Sequence, residues 1–240
     1  MNRPAAPVSS LPRVATIATL ASRVETFRQV LPVIHPQVDH VFVYLDGYES
    51  PPSFLQDFDR ISIYRAEDVG DLHCSSRFLC LQHLDAPTVV VVVDDDIVYP
   101  PDYVDRLAEA LHQAEEPALI GVHGRIFTPP HRSYVHDATA FQFASQLAQP
   151  CHVHELGMGT CAFVSSHLDI DPRGWDRTDM DDIVVAIEAQ RRGLPRIVVA
   201  REAGWLKVLA KRQPDSIWVS VQKDEAEHSR RMRELLGLYA

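Results

Sequence analysis

Lysine is nearly absent from this chain. Lys207, Lys211 and Lys223 are its only ones, so across the first 200 residues every fixed cation is an arginine. Among 240 residues, 33 Asp and Glu face 23 Lys and Arg, for a formal net charge of -10. With no basic cluster to offset it, that charge repels nucleic-acid phosphates and anionic lipid, and nucleic acid is excluded as a partner. Cysteine is scarce as well. Cys74, Cys80, Cys151 and Cys161 show no CxxC spacing in a chain too long to need disulfide staples, and they read as reduced thiols of a cytosolic protein. Long apolar runs are missing. Residues 14–21 (VATIATLA) are diluted by two threonines and lack a small-residue cleavage site. Thr88 to Val93 falls far short of the roughly 20 residues of a membrane span. The expectation is a chain that neither crosses a membrane nor carries an obvious export signal.

What is present is a globular composition, 46% hydrophobic and 23% charged, with no internal repeat, low-complexity tract or linker, so one domain with two functional halves is expected. From Arg13 onward, short β-branched runs alternate with helical patterns, the rhythm of an α/β fold with a mostly parallel sheet. Strands are predicted at Val14 to Thr19, Val41 to Leu45, Ile61 to Tyr64 and Thr88 to Val93. The last is an uninterrupted apolar run suited to a strand covered on both faces. Ser22 stands three before Glu25, a capping box, and predicts a helix that stops near Pro32. Further helices are predicted over Cys74 to Leu84 and after Pro100-Pro101, with Tyr103, Leu107 and Leu111 on one apolar side. Ala118 to Phe127 reads as one more strand and residues 128–150 as a long loop of the kind that covers sites. Beyond it come strands at His152 to Glu155 and Thr160 to Ser165, joined by a turn at Gly157-Met158-Gly159. Asp181 to Arg192 is a helix with acidic residues at its start and Gly193 past its end. Ile197 to Ala200 and Ile217 to Val221 are predicted as short strands, and Lys223 to Leu238 as a closing helix.

The sharpest feature is the valine run entering Asp94-Asp95-Asp96. On an extended chain Asp94 and Asp96 share a face and Asp95 points away. Two carboxylates about 4 Å apart repel by about 1 kcal/mol in water and about 4 kcal/mol at the effective dielectric of a partly buried site. A hard divalent cation, magnesium or manganese, relieves that repulsion and keeps positions open for substrate phosphates. The place agrees, because open α/β sheets bind ligands beyond the carboxyl ends of their strands. A second acidic group, Asp179, Asp181 and Asp182, opens the Asp181 to Arg192 helix. Such residues serve as helix caps, and one of them can also accept a proton from a hydroxyl nucleophile.

These segments, VVVVVDDDIVYPPDY followed by an acidic pair on a helix closing as AQRRGLP, resemble the GT-A glycosyltransferases, in particular the family 2-like enzymes of bacterial surface polysaccharide synthesis. The likeness runs from about Val14 to Trp205. It implies residues 13–127 as a nucleotide-sugar-binding half and residues 128–240 as an acceptor-binding and catalytic-base half. It also implies that Asp94 and Asp96, with Asp95 as a third candidate, hold Mn2+ or Mg2+ and the donor diphosphate. The family's Glu-Asp motif maps to Asp181 and Asp182, eleven before Gly193, and either is open as the base. Thr19, Arg23 and Asp46 map to the nucleoside site, and Gly70, Asp71 and Arg77 to the segment nearing base and diphosphate. Gly157, Gly159 and Trp175 map to the acceptor side. His228 is a candidate to complete the metal shell, whereas His152 and His154 fit a solvated strand face and Trp205 the core. The resemblance implies a nucleotide-sugar donor, a glycan or lipid-linked acceptor, and a cytoplasmic enzyme that meets the membrane only through partners.

Two rival readings remain open from sequence. The run from Val91 through Asp94-Asp95-Asp96 to Val98 also fits the DxDxV of haloacid dehalogenase-type phosphatases, with Asp94 as nucleophile. That family's lysine is missing, since none lies between residues 99 and 180. A non-catalytic sugar-nucleotide or glycan-binding protein on the same fold is the other. A sugar-nucleotide pyrophosphorylase would need a glycine-rich N-terminal loop, which is absent.

Overall fold

The computed structural model describes residues 7–210, 213 and 215–239. Its strands are β1 (Arg13–Leu20), β2 (His40–Asp46), β3 (Ile61–Arg65), β4 (Val89–Val93), β5 (Ile97–Val98), β6 (Leu119–Gly121), β7 (Gly124–Phe127), β8 (Ala138–Phe141), β9 (Cys151–His152), β10 (Glu155–Leu156), β11 (Thr160–Val164), β12 (Arg196–Val198) and β13 (Lys207–Val208). Its α-helices are α1 (Val24–Ile34), α2 (Ala66–Val69), α3 (Tyr103–Gln113), α4 (Asp181–Arg191), α5 (Ile217–Lys223) and α6 (Ala226–Gly237).

Eight strands form the main sheet in the order β3-β2-β1-β4-β11-β6-β12-β9. β3, β2, β1 and β4 are mutually parallel, β11 runs against both β4 and β6, β12 is parallel to β6, and β9 closes the edge antiparallel. The fold is therefore α/β, with a mixed and largely parallel sheet flanked by helices. Two small antiparallel sheets, β10-β7-β8 and β13-β5, sit beside it.

The five valines of β4 explain the layering. Side chains alternate across a strand, and Val89, Val91 and Val93 enter a core with Phe27, Leu31 and Ile34 of α1 and Tyr103, Leu107 and Leu111 of α3. Val90 and Val92 enter the opposite core with Phe78, Phe163, Val185 and Ala189. A third cluster joins Ile183, Val184 and Ile187 of α4 to Met232 and Leu235 of α6 and Val221 of α5. Helix α4 is thus clamped between two cores.

Several elements differ from expectation. Ser22 does not cap α1; its hydroxyl donates to Asp215, and Arg23 takes the cap position. The helix runs through Pro32 to Ile34, because burial of Leu31 and Ile34, each worth about 1.5–3 kcal/mol, outweighs the backbone bond that proline deletes. Cys74 to Leu84 is helical but tighter, a 3-10 segment over His73–His83. Ala118 to Phe127 is not one strand, since the chain turns at Val122-His123 and delivers β6 and β7 to different sheets. His152 to Glu155 divides likewise into β9 and β10, and the stretch 128–150 contains β8. Strand Ile197 to Ala200 is placed at Arg196–Val198. Ile217 to Val221, read as a strand, is helix α5, and Asp224-Glu225 separates it from α6. Gly193 follows α4 at φ 67, the left-handed cap expected there.

Candidate functional site

A cleft of about 860 Å³ opens at the carboxyl ends of β1, β2 and β4 and extends toward β7, β10 and the start of α4. Its walls carry nine carboxylates (Asp46, Asp94, Asp95, Asp96, Glu155, Asp179, Asp181, Asp182, Asp215) against three guanidinium groups (Arg23, Arg77, Arg125), and no lysine among the described residues. Such an excess of anionic groups favours a bound cation.

The three aspartates after β4 have different roles. The Asp94 amide donates to the Tyr99 hydroxyl (2.8 Å), which itself donates to the Gly159 carbonyl (2.5 Å). The Asp94 carboxylate lies over Gly159 so closely that a Cβ there would stand 1.8 Å from Oδ2. Gly159 therefore makes room for Asp94 itself. Asp95 is 2% exposed and folds back on β1, with Oδ2 accepting from Thr19 Oγ1 (2.7 Å) and Oδ1 from Arg23 (3.3 Å). Burial raises its pKa, against the opposing pull of Thr19 and Arg23. With both oxygens engaged by protein donors, Asp95 anchors the turn. Asp96 faces the cleft and is pushed up to about 6, by burial first and then by Asp94 and Asp95.

Arg77 connects this turn to α4. Its side chain is 7% exposed; NH1 donates to Asp94 Oδ1 (2.7 Å) and Nε to Asp181 Oδ2 (2.9 Å), with NH2 in ion-pair contact with the same oxygen (2.8 Å). Arg77, expected in the segment nearing base and diphosphate, is a buried bridge between two carboxylates. Cys74 donates to the other Asp181 oxygen (3.2 Å), so Asp181 is also occupied. Asp182 is placed differently. Its Oδ1 accepts the Met158 amide (2.8 Å), from the Gly157-Met158-Gly159 turn, and its pKa is raised well above the carboxylate range by burial, then by Asp181 and Glu155.

Sequence reasoning missed the far wall. Glu155 is 1% exposed, accepts from Tyr134 Oη (2.8 Å), lies 3.8 Å from Arg125 and is pushed up to about 7 by burial. Arg125 stacks on Tyr134 (4.3 Å) and Trp218 (5.2 Å). His123, lowered to about 4 by burial and then by Arg125 and Arg201, packs where a Cβ on Gly157 would sit. Arg125 and Glu155 come from the short strands β7 and β10, His123 and Tyr134 from the bends before and after β7, and Trp218 from α5; they meet only in the folded chain, and no local motif marks them.

Other expected residues fall as follows. Thr19, Arg23, Asp46, Gly157 and His228 line the cleft. Gly70 lines a small adjoining hollow with Asp46 and His73. Asp46, Asp71 and His73 bring ligand atoms within 4.8 Å of one another, the one group of three or more such residues among those described that could hold a divalent ion, and it does not include Asp94, Asp95 or Asp96. Trp175 does not reach the cleft; it packs on Phe78 with ring centroids 5.7 Å apart. His154 accepts the Phe127 amide (2.9 Å) and packs against Tyr239. His152 is exposed on β9. Trp205 packs on Tyr103 beneath the Arg106 guanidinium. Among the described residues no helix is long and apolar enough to cross a membrane.

The donor set suits a hard cation, since Asp94 and Asp96 present oxygens to the cleft, with side chains 39% and 28% exposed, and carboxylates with open neighbouring positions are the usual magnesium or manganese ligands.

No protein-family description matches this sequence, and no curated protein matches it. Similarity is found in the fold. A crystal structure of a mycobacterial protein superimposes with a TM-score of 0.60 at 15% identity, covering 96% of this chain and 80% of that one. A nucleotidyl transferase from Methanothermobacter thermautotroptrophicus superimposes with a TM-score of 0.51 at 14% identity, covering 92% of this chain and 98% of that one. The chain thus shares a Rossmann-like α/β fold with a nucleotidyl transferase.

Proposed function

We propose that this protein is a metal-dependent glycosyltransferase of the GT-A type, moving a sugar from a nucleotide-sugar donor to a hydroxyl of a glycan or lipid-linked acceptor. The observation that carries the reading is the bridge Asp94–Arg77–Asp181, which fixes a cation-ready turn beside a carboxylate, Asp182, that forms no ion pair among the described residues. Asp94 and Asp96 would hold Mn2+ or Mg2+, which when bound supplies Lewis-acid charge for a departing diphosphate. Thr19, Arg23 and Asp46, at the ends of β1 and β2, line the part of the cleft assigned to the nucleoside. Asp182, oriented by the Met158 amide, takes the proton of the acceptor hydroxyl as its oxygen attacks the anomeric carbon and the nucleoside diphosphate leaves from the opposite face, inverting the configuration. Burial, with Asp181 and Glu155 nearby, raises its pKa, the direction that makes a carboxylate a stronger base. The far wall, with Glu155, Arg125 and Trp218, receives the acceptor. The two halves, residues 13–127 and 128–240, divide donor from acceptor within one domain. The absence of lysine from the described cleft wall weighs against the phosphatase alternative.

Likeness to a nucleotidyl transferase supports one second reading, transfer of a nucleotidyl group, which releases pyrophosphate where glycosyl transfer releases a nucleoside diphosphate. A panel of UDP-, GDP- and CMP-sugars tested by thermal shift with Mn2+ finds the donor, because a ligand selective for the folded state raises its melting point. With that donor, Asp182→Asn is expected to lower transfer by about 100-fold or more while donor binding persists. If binding and transfer fall together, Asp182 is not the base; if no sugar is transferred from these donors but pyrophosphate is released from a nucleoside triphosphate in the presence of a sugar phosphate, the second reading replaces the first.

A further inference from the structure

The cleft already contains an anion of its own. Beyond β13, two residues contact Asp96 at the donor side: the Leu209 amide donates to the Asp96 carbonyl (2.9 Å) and Gln213 Nε2 to Asp96 Oδ2 (3.3 Å). Two residues on, the Asp215 carboxylate accepts Ser22 Oγ on one oxygen (2.5 Å), and Arg23 NH2 (3.2 Å) and Nε (3.4 Å) on the other. A hydroxyl and two guanidinium N–H groups converging on one carboxylate is the geometry of an anion site. Arg23 is not a surface residue that happens to meet a partner. Its side chain is 15% exposed, and NH1 is fixed by Asp95 (3.3 Å), with Asp96 at 3.8 Å, so Nε and NH2 are held facing the cleft. Ser22, freed from capping α1, has this contact as its one side-chain hydrogen bond among the described residues. Asp215 by contrast is 30% exposed and departs at little cost.

We infer that Ser22 and Arg23 form an anion subsite for a phosphoryl group of the ligand, and that Asp215 occupies it as an internal competitor which the ligand must displace. This rests on reading the cleft as a nucleoside diphosphate site. The contacts of Leu209 and Gln213 on Asp96 tie the competitor to the cation position, so a ligand that takes both groups releases Gln213 and Asp215 together and one that takes neither leaves them in place.

The test is calorimetric titration of inorganic pyrophosphate with Mg2+ into wild type, Asp215→Ala and Asp215→Ala/Ser22→Ala, each first shown folded by its melting curve. Removing a part-exposed carboxylate from an arginine is expected to tighten pyrophosphate binding by about threefold to tenfold. Removal of Ser22 as well is expected to cancel most of that gain. Binding by Asp215→Ala no tighter than by wild type, including no binding to either, overturns the subsite. UDP, GDP and ADP titrated into the same proteins separate this inference from the reading beneath it. Tighter pyrophosphate binding with no nucleoside diphosphate bound leaves the subsite and removes the nucleotide reading. Nucleoside diphosphates bound equally by wild type and Asp215→Ala do the reverse.

Discussion

Arg77 shows what a single residue contributes here. Taking a guanidinium out of water costs several kcal/mol, and an attraction to one carboxylate rarely recovers it unless the remaining N–H groups are also satisfied. Arg77 meets that condition with Asp94 on one side and Asp181 on the other. Removing it leaves two carboxylates facing one cavity, and Arg77→Met is expected to cost about 3–5 kcal/mol. In a double-mutant cycle with Asp181→Asn, the pair is expected to fall short of the summed single costs by about 1–3 kcal/mol. Urea denaturation measures all three; strict additivity would show that Arg77 and Asp181 do not act as a unit. The sequence marks Arg77 only as an arginine ahead of the central strand. Its partner at Asp181 stands 104 positions away, a separation across which spacing carries no information.

Helices and strands repeat the lesson with different physics. The long periodic elements are legible: β1, β2, β4, α3 and α4 lie where alternation or a 3.6-residue period places them, because each buries a continuous face. Short apolar runs are not, and Ile217 to Val221 shows why. Five residues rich in β-branched side chains suit a strand, yet Val221 packs among Met232 and Leu235, and that contact makes the run the helix α5. Helix α1 is a case in which packing overrides a local stop signal. Since Pro32 lies inside the helix with its side exposed to solvent, Pro32→Ala restores a backbone donor where proline costs about 3 kcal/mol in a free helix. A stabilisation of about 1 kcal/mol or more in thermal melts is expected; a lower melting point would mean that α1 is shaped around its proline.

For the molecule as a whole, pH reports the buried acids. Glu155 has its pKa raised from 4.5 to about 7, chiefly by burial. The folded chain therefore holds a proton that the unfolded chain releases near 4.5, and that contribution to stability is complete below about 4.5 and lost as pH rises through about 7. Glu155→Gln keeps the acceptor for Tyr134 and has no charge to bury. Its melting point is expected to match wild type near pH 4.5 and to exceed it increasingly toward pH 8, by at most about 3 kcal/mol of stability. A constant difference across that range would show that Glu155 is ionised in the fold throughout.

The order of residues alone determined where strands end in polar side chains, and so put Asp94, Asp96 and Asp46 at one edge of a sheet and Asp181 and Asp182 at the head of a helix. Periodicity and capping are local, and a few neighbouring residues suffice to express them. Only the tertiary structure decided which carboxylates face an arginine, which one folds back on β1, and that Glu155, Arg125 and Asp215 share the cleft at all. Those relations depend on strand order and on charge buried between distant segments, and desolvation acts on a side chain only after the rest of the chain has closed around it.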